Sequence, residues 1–205
     1  EQTGYVCEIV SSSSGKLTAQ IREGAPFDLL VSADQEYPAA LYREGYTAEP
    51  PKVYALGKLV LWSASAAAPP TLEDLKAPKT RSIAMAQPDI APYGRAAREA
   101  LEYHGLYEGL RPRLIYGESI AQVNQFISSG AADYGFTSLS TVRSRQFGGQ
   151  GHWTEVDRVA YQPISQAACL LKSGGTHRTG AIEFYTYLFS GAARSVFQAY
   201  GYQTP

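Results

Sequence analysis

The run Ser11-Ser12-Ser13-Ser14-Gly15 supplies hydroxyls and, where a helix opens on it, backbone N–H groups that lack an intrahelical acceptor. That pairing binds anions without a fixed positive charge, because donors and the positive end of the helix dipole point the same way. Lys16-Leu17-Thr18-Ala19-Gln20-Ile21 continues as a short helix with Leu17 and Ile21 on one face, and Gly24 is its natural stop. The construction recurs twice. In Ala91-Pro92-Tyr93-Gly94, Pro92 disfavours helix at Ala91 and so starts one at or just after itself, while Gly94 lets a ligand or another backbone come close. In Glu118-Ser119-Ile120, Ser119 can cap, which leaves the N–H groups of Ile120 and Ala121 free. Each start is worth about half a positive charge, so three converging on one point would neutralise a small dianion. Each is equally an ordinary capped helix after a loop, and residue types alone leave both readings open.

Other chemistries find little in the chain. There is no G-x-S-x-G elbow, no Walker loop and no C-x-x-C, and no base sits beside a nucleophile, so an enzyme is not expected. His104, His152 and His177 have no metal-ligand spacing and read as surface positions. Asp28 and Asp34 read as caps or turn formers. Lys16 and Arg95 follow two of the helix starts and can attract an anion at long range, though solvated positions are the expectation. Cys7 and Cys169 either form one disulfide or are two buried thiols.

The elements that must carry these residues alternate. Strands are predicted over 6–10, 28–32, 58–62, 82–85, 112–116, 134–137 and 164–171. Helices are predicted over 15–23, 38–44, 94–104, 119–128, 181–189 and 192–200, with a helical turn over 71–75. Glu1-Gln2-Thr3-Gly4 reads as the last turn of a helix ending on its glycine. Short strands alternating with helices predict an α/β fold with two mostly parallel sheets, whose carboxyl edges carry the three starts and are where ligands bind in open sheets. Over 205 residues, with 44% hydrophobic and 18% charged, no apolar run is long enough to span a bilayer. A formal charge of −1 with interspersed Lys and Arg argues against a nucleic-acid surface. Fifteen Tyr against seven Phe suits a wet internal cleft. No signal peptide is present, which fits a cytosolic protein or a mature secreted one.

Several strings together resemble the periplasmic molybdate-binding proteins of ABC transporters. They are Ser12-Ser13-Ser14-Gly15, Gly24-Ala25-Pro26-Phe27-Asp28 with Ser32-Ala33-Asp34, Ala55-Leu56-Gly57-Lys58-Leu59-Val60-Leu61-Trp62-Ser63, Ala91-Pro92-Tyr93-Gly94, Gly117-Glu118-Ser119-Ile120-Ala121-Gln122, Gly130-Ala131-Ala132-Asp133-Tyr134-Gly135-Phe136 and Ala199-Tyr200-Gly201-Tyr202. The resemblance implies a two-lobed type II binding-protein fold, the first lobe formed by 1–57 and 165–205 and the second by 58–164, with Trp62 at the crossover. It implies capture of molybdate or tungstate in the interlobe cleft, outside the cytoplasm, and delivery to a membrane permease. The implied ligand groups are the hydroxyl and backbone of Ser14, the backbone N–H of Tyr93 and of Ile120, with Ser13 beside them and a hydroxyl from Ser138. No cofactor, cation ligand, nucleic acid or membrane insertion is implied, and a monomer is expected. Against the family the chain lacks the opening strand, its loop and the first helix, so an incomplete first lobe is expected. A ligand-sensing domain of a regulatory system on the same fold is the alternative.

Overall fold

Apolar residues gather on two separate sets of strands in the computed structural model, which describes residues 4–172 and 178–205. Five strands form the larger sheet: β3 (Leu59–Ser63), β4 (Ile83–Ala86), β5 (Leu114–Gly117), β6 (Tyr134–Ser138) and β7 (His152–Glu155), in the order β5-β4-β6-β3-β7. Every residue of β3 and β4 is buried, the mark of strands covered on both faces. Successive residues point to opposite faces, and each face has its own helix. Leu59, Leu61, Ile83 and Met85 pack with α3 (Pro92–Tyr103). Val60, Trp62, Ala84 and Ala86 pack with α5 (Ile120–Ser128).

The smaller sheet has three strands, β1 (Leu29–Ser32), β8 (Ile164–Leu170) and β2 (Lys52–Gly57), with β8 central. Leu17, Ile21 and Leu41 of α1 (Ser14–Arg22) and α2 (Glu36–Arg43) cover one face together with Leu30 and Cys169. Tyr185 and Leu188 of α7 (Arg178–Leu188) cover the other, joined by Phe197 of α8 (Gly191–Ala199). The remaining helices are α4 (Tyr107–Leu110) and α6 (Leu139–Val142).

Strand sense departs from the sequence reading. In the larger sheet β4 runs parallel to β5 and β6, but β3 is antiparallel to β6 and β7. The smaller sheet is antiparallel at both of its pairings. The reason is the path of the chain. Strand β2 leaves the small sheet and enters β3 through Lys58 alone, whereas β8 brings the chain back after β7, so neighbouring strands carry it in opposite directions.

The predicted strand over 6–10 does not form. Its residues find no ladder partner and stay exposed, Val6 at 97%. The predicted helix end over 1–4 falls mostly on residues outside the described set, although Gly4 does take a positive φ of 72°. Cys7 is exposed and Cys169 buried, and both are free thiols; burial pushes that of Cys169 up to about 12. His104 and His152 are exposed, and His177 lies outside the described residues. Trp62 does not sit at the crossover. It is fully buried in β3, edge-on to Phe147 at 5.5 Å, with Nε1 donating to the Gln150 carbonyl at 2.8 Å.

Candidate functional site

The three helix starts singled out by the sequence meet at the junction of the two halves. Helix α1 belongs with the small sheet, and α3 and α5 follow β4 and β5 of the large one. The Gly15 N–H donates to the Ile90 carbonyl at 3.0 Å, which ties the α1 start to the α3 start. The Lys16 ammonium meets the Glu118 carboxylate at 2.5 Å, which ties it to the α5 start. Strand ends β4 and β5 lie side by side, with Gln87 N–H donating to the Gly117 carbonyl at 2.8 Å.

Each helix start leaves some of its first-turn N–H donors without an intrahelical acceptor. At α1, Ser13 caps in an extended conformation and its hydroxyl accepts from Lys16 N–H at 3.4 Å. With Gly15 committed to Ile90, the Ser14 N–H is the one the helix gives no acceptor. The Ser14 hydroxyl oxygen accepts from Ala33 N–H at 3.1 Å, which leaves the hydroxyl proton to donate. Both serines are buried.

At α3, Pro92 has no N–H and Arg95 N–H already reaches the Ala91 carbonyl, so the donors of Tyr93 and Gly94 remain. Gly94 serves backbone approach: a Cβ there would collide with the Ala86 carbonyl at the end of β4. At α5, Gln122 N–H goes to the Ser119 hydroxyl at 3.3 Å and Val123 N–H to the Ser119 carbonyl at 3.1 Å. The Gln122 side chain accepts from Glu118 N–H at 2.7 Å. Ile120 and Ala121 keep their donors.

The Tyr93 side chain plays a different part from its backbone. Its hydroxyl is buried and accepts from Gln166 Nε2 at 3.0 Å, while Gln166 Oε1 accepts from the Tyr54 hydroxyl at 2.7 Å. Burial pushes both phenols far above their ordinary range, so they stay neutral. This buried chain joins α3 to β8 and β2. It was not legible in sequence, because Gln166 stands 73 residues from Tyr93.

Ser138 is at the carboxyl end of β6 but its hydroxyl is already engaged. It caps α6 by accepting from Thr141 N–H at 3.2 Å and lies 2.9 Å from both the Ser140 and Thr141 hydroxyls. Ser140 continues to the Tyr202 hydroxyl at 2.8 Å, and Thr141 accepts from Asn124 at 3.2 Å. One donor and two lone pairs are then fully used.

Arg95 is not the solvated cation expected from sequence, and Lys16, though exposed as expected, is paired with Glu118. Arg95 reaches back across the junction to Glu36 at 2.6 Å and Asp34 at 3.2 Å. Asp34 is a turn former as expected, accepting from Tyr37 N–H at 3.2 Å, and also this cation's partner. Burial pushes its carboxyl up, opposed by that N–H and by the Arg95 charge. Burial works against the Arg95 charge, and Glu36 and Asp34 outweigh it, so Arg95 is held above its ordinary range. Among the described residues no group of His, Cys, Asp and Glu is placed to hold a metal ion.

Residues 1–203 match the bacterial extracellular solute-binding protein family. The chain is 37% identical over 205 residues to the molybdate-binding protein ModA of Rhodobacter capsulatus, spanning 100% of this chain and 80% of that one. It is 37% identical over 209 residues to ModA of Azotobacter vinelandii, spanning 98% and 81%. The solved structure of the Azotobacter vinelandii periplasmic molybdate-binding protein superposes with a TM-score of 0.93 at 34% identity, covering 100% of this chain and 90% of that one.

Proposed function

The chain belongs to the bacterial extracellular solute-binding protein family, and from that premise we propose that it captures molybdate for delivery to an ABC permease. Tungstate, a tetrahedral dianion of the same shape, is the second proposed cargo. The observation that carries this reading is the Ser14 hydroxyl. Ala33 N–H holds it as an acceptor at 3.1 Å, so its proton remains free to donate, as do the first-turn N–H groups of Ser14, Tyr93 and Ile120. Neutral donors set by backbone geometry suit an oxyanion, since the dipole ends supply the charge and burial strengthens each contact.

Ser14, Tyr93 and Ile120 are the proposed contacts. Ser13 shapes the α1 start, and Ser138 is proposed to fix the α6 start and not to donate to the anion. The two sheets support lobes formed by 1–57 with 165–205 and by 58–164, closing on the ligand as a monomer. The periplasmic name of the Azotobacter vinelandii structure supports capture outside the cytoplasm. Among the described residues no helix is long and apolar enough to cross a membrane. The permease is proposed as a partner from the molybdate-binding relatives. No observation favours the sensory alternative.

Calorimetric titration with molybdate, tungstate, sulfate and phosphate tests the reading. Tight binding of the first two with little competition from the others is expected, the smaller sulfate being rejected by cavity size. Equal affinity for sulfate overturns the assignment.

A further inference from the structure

Both cations beside the helix starts are spent on the opposite half of the molecule. Lys16, on α1, meets Glu118 ahead of α5, and Arg95, on α3, meets Asp34 and Glu36 at the entry to α2. Two uncharged contacts accompany them. The Tyr37 hydroxyl donates to the Asp89 carbonyl at 3.1 Å, and Gly15 N–H to the Ile90 carbonyl at 3.0 Å. All four tie the α1–α2 side to the α3 or α5 start, next to Ser14, Tyr93 and Ile120.

We infer that Arg95 and Lys16 are positioning residues that clamp the two halves together, acting on how long an anion stays and not on how fast it arrives. An attracting role would need the charge open to solution, where its field reaches an approaching dianion. Here each charge is neutralised by a carboxylate partner at 2.5–3.2 Å. The two arms differ in weight. The Lys16–Glu118 pair is exposed, at 39% and 71%, and such pairs contribute little. Arg95 and Asp34 are 27% and 10% exposed, so loss of Arg95 strands a mostly buried carboxylate. Arg95 is therefore the main clamp.

This inference rests on the oxyanion reading for its ligand, and stopped-flow kinetics with molybdate read it directly. Arg95→Met is expected to raise the dissociation rate at least tenfold with the association rate within twofold. Lys16→Glu is expected to raise dissociation only a few-fold, and adding Glu118→Lys to restore it. Arg22→Met is the control, because Arg22 pairs with Glu44 at 2.6 Å between α1 and the end of α2, within one half. It removes the same charge and should leave both rates unchanged. Losses confined to association, or no restoration in the swapped pair, overturn the clamp. Small-angle scattering without ligand reads the bridge independently: Arg95→Met should have the larger radius of gyration, and an equal radius counts against the clamp. A parent chain that binds neither molybdate nor tungstate overturns the oxyanion reading, and scattering alone then decides the clamp.

Discussion

At the start of α1, Ser14 accepts one bond from the backbone of a distant turn and keeps its proton, while at the start of α6, Ser138 is enclosed by Ser140, Thr141 and a backbone N–H. Both are buried serines at a helix start, Ser138 at the end of β6 and Ser14 after a stretch that forms no strand. The difference lies in where their partners come from. Ala33 stands 19 residues from Ser14, whereas the partners of Ser138 lie two and three residues on. A serine satisfied locally on every side is a cap and nothing more. One satisfied on its acceptor side alone, from outside its own turn, keeps a proton free, which is why Ser14 is the proposed donor.

Substitution at the two serines should separate them, with the largest effect at Ser14. Ser14→Ala removes the proposed hydrogen bond to a charged ligand, worth roughly 1.5–3 kcal/mol, so molybdate affinity measured by calorimetry should fall about tenfold to a hundredfold or more. Ser138→Ala should leave affinity within threefold; an equal loss at both positions would break the contrast. Tyr93→Phe comes next and isolates backbone from side chain. It leaves the Gln166 amide without an acceptor in a buried site, so denaturant unfolding should show a loss of about 1–3 kcal/mol. Ligand affinity should stay within threefold, since the proposed donor is the Tyr93 N–H.

The stability cost of Ser138→Ala should be smaller, about 1 kcal/mol for a lost N-cap, read from the same unfolding curves. The smallest effect concerns pH. Neither serine titrates, whereas Asp133 caps the entry to β4 with a carboxylate that accepts from Arg81 N–H at 2.7 Å and Ser82 N–H at 3.1 Å. Burial works to raise its pKa, but those two bonds and the Arg81 charge outweigh it and hold the carboxyl below its ordinary range. The stability it contributes is present above the ordinary carboxylate range and lost as pH falls through the lowered value. Melting temperature followed from pH 7 toward pH 3 should therefore drop less steeply in Asp133→Asn than in the parent chain.

Much of the framework was legible because local chemistry marks it. Ser13, Pro92 and Ser119 sit within two residues of the helix starts they predict, and continuous apolar runs locate β3 and β4. Strand β2 escaped because Lys52-Val53-Tyr54-Ala55-Leu56-Gly57 follows two prolines and does not alternate; its place comes from pairing with β8, more than a hundred residues later. Strand β7 escaped for a similar reason, as a half-exposed edge strand of His, Trp, Thr and Glu. Strand sense in the small sheet follows from the direction of each crossing between halves, which no local signal encodes. The fate of Lys16 and Arg95 was equally hidden, since their partners are 102 and about sixty residues away. Sequence locates a charge; only the fold says whether it is still free to act.

The passage from β2 to β3 through Lys58 alone has a mechanical meaning. One residue contributes one φ and one ψ, and its neighbour Gly57 is wedged so closely against the Tyr93 hydroxyl that a Cβ would collide with it. At that joint the chain passes between the halves with no slack, whereas the return from β7 to β8 runs through eight residues, 156–163. The two crossings are therefore unequal tethers, one short and wedged, the other long.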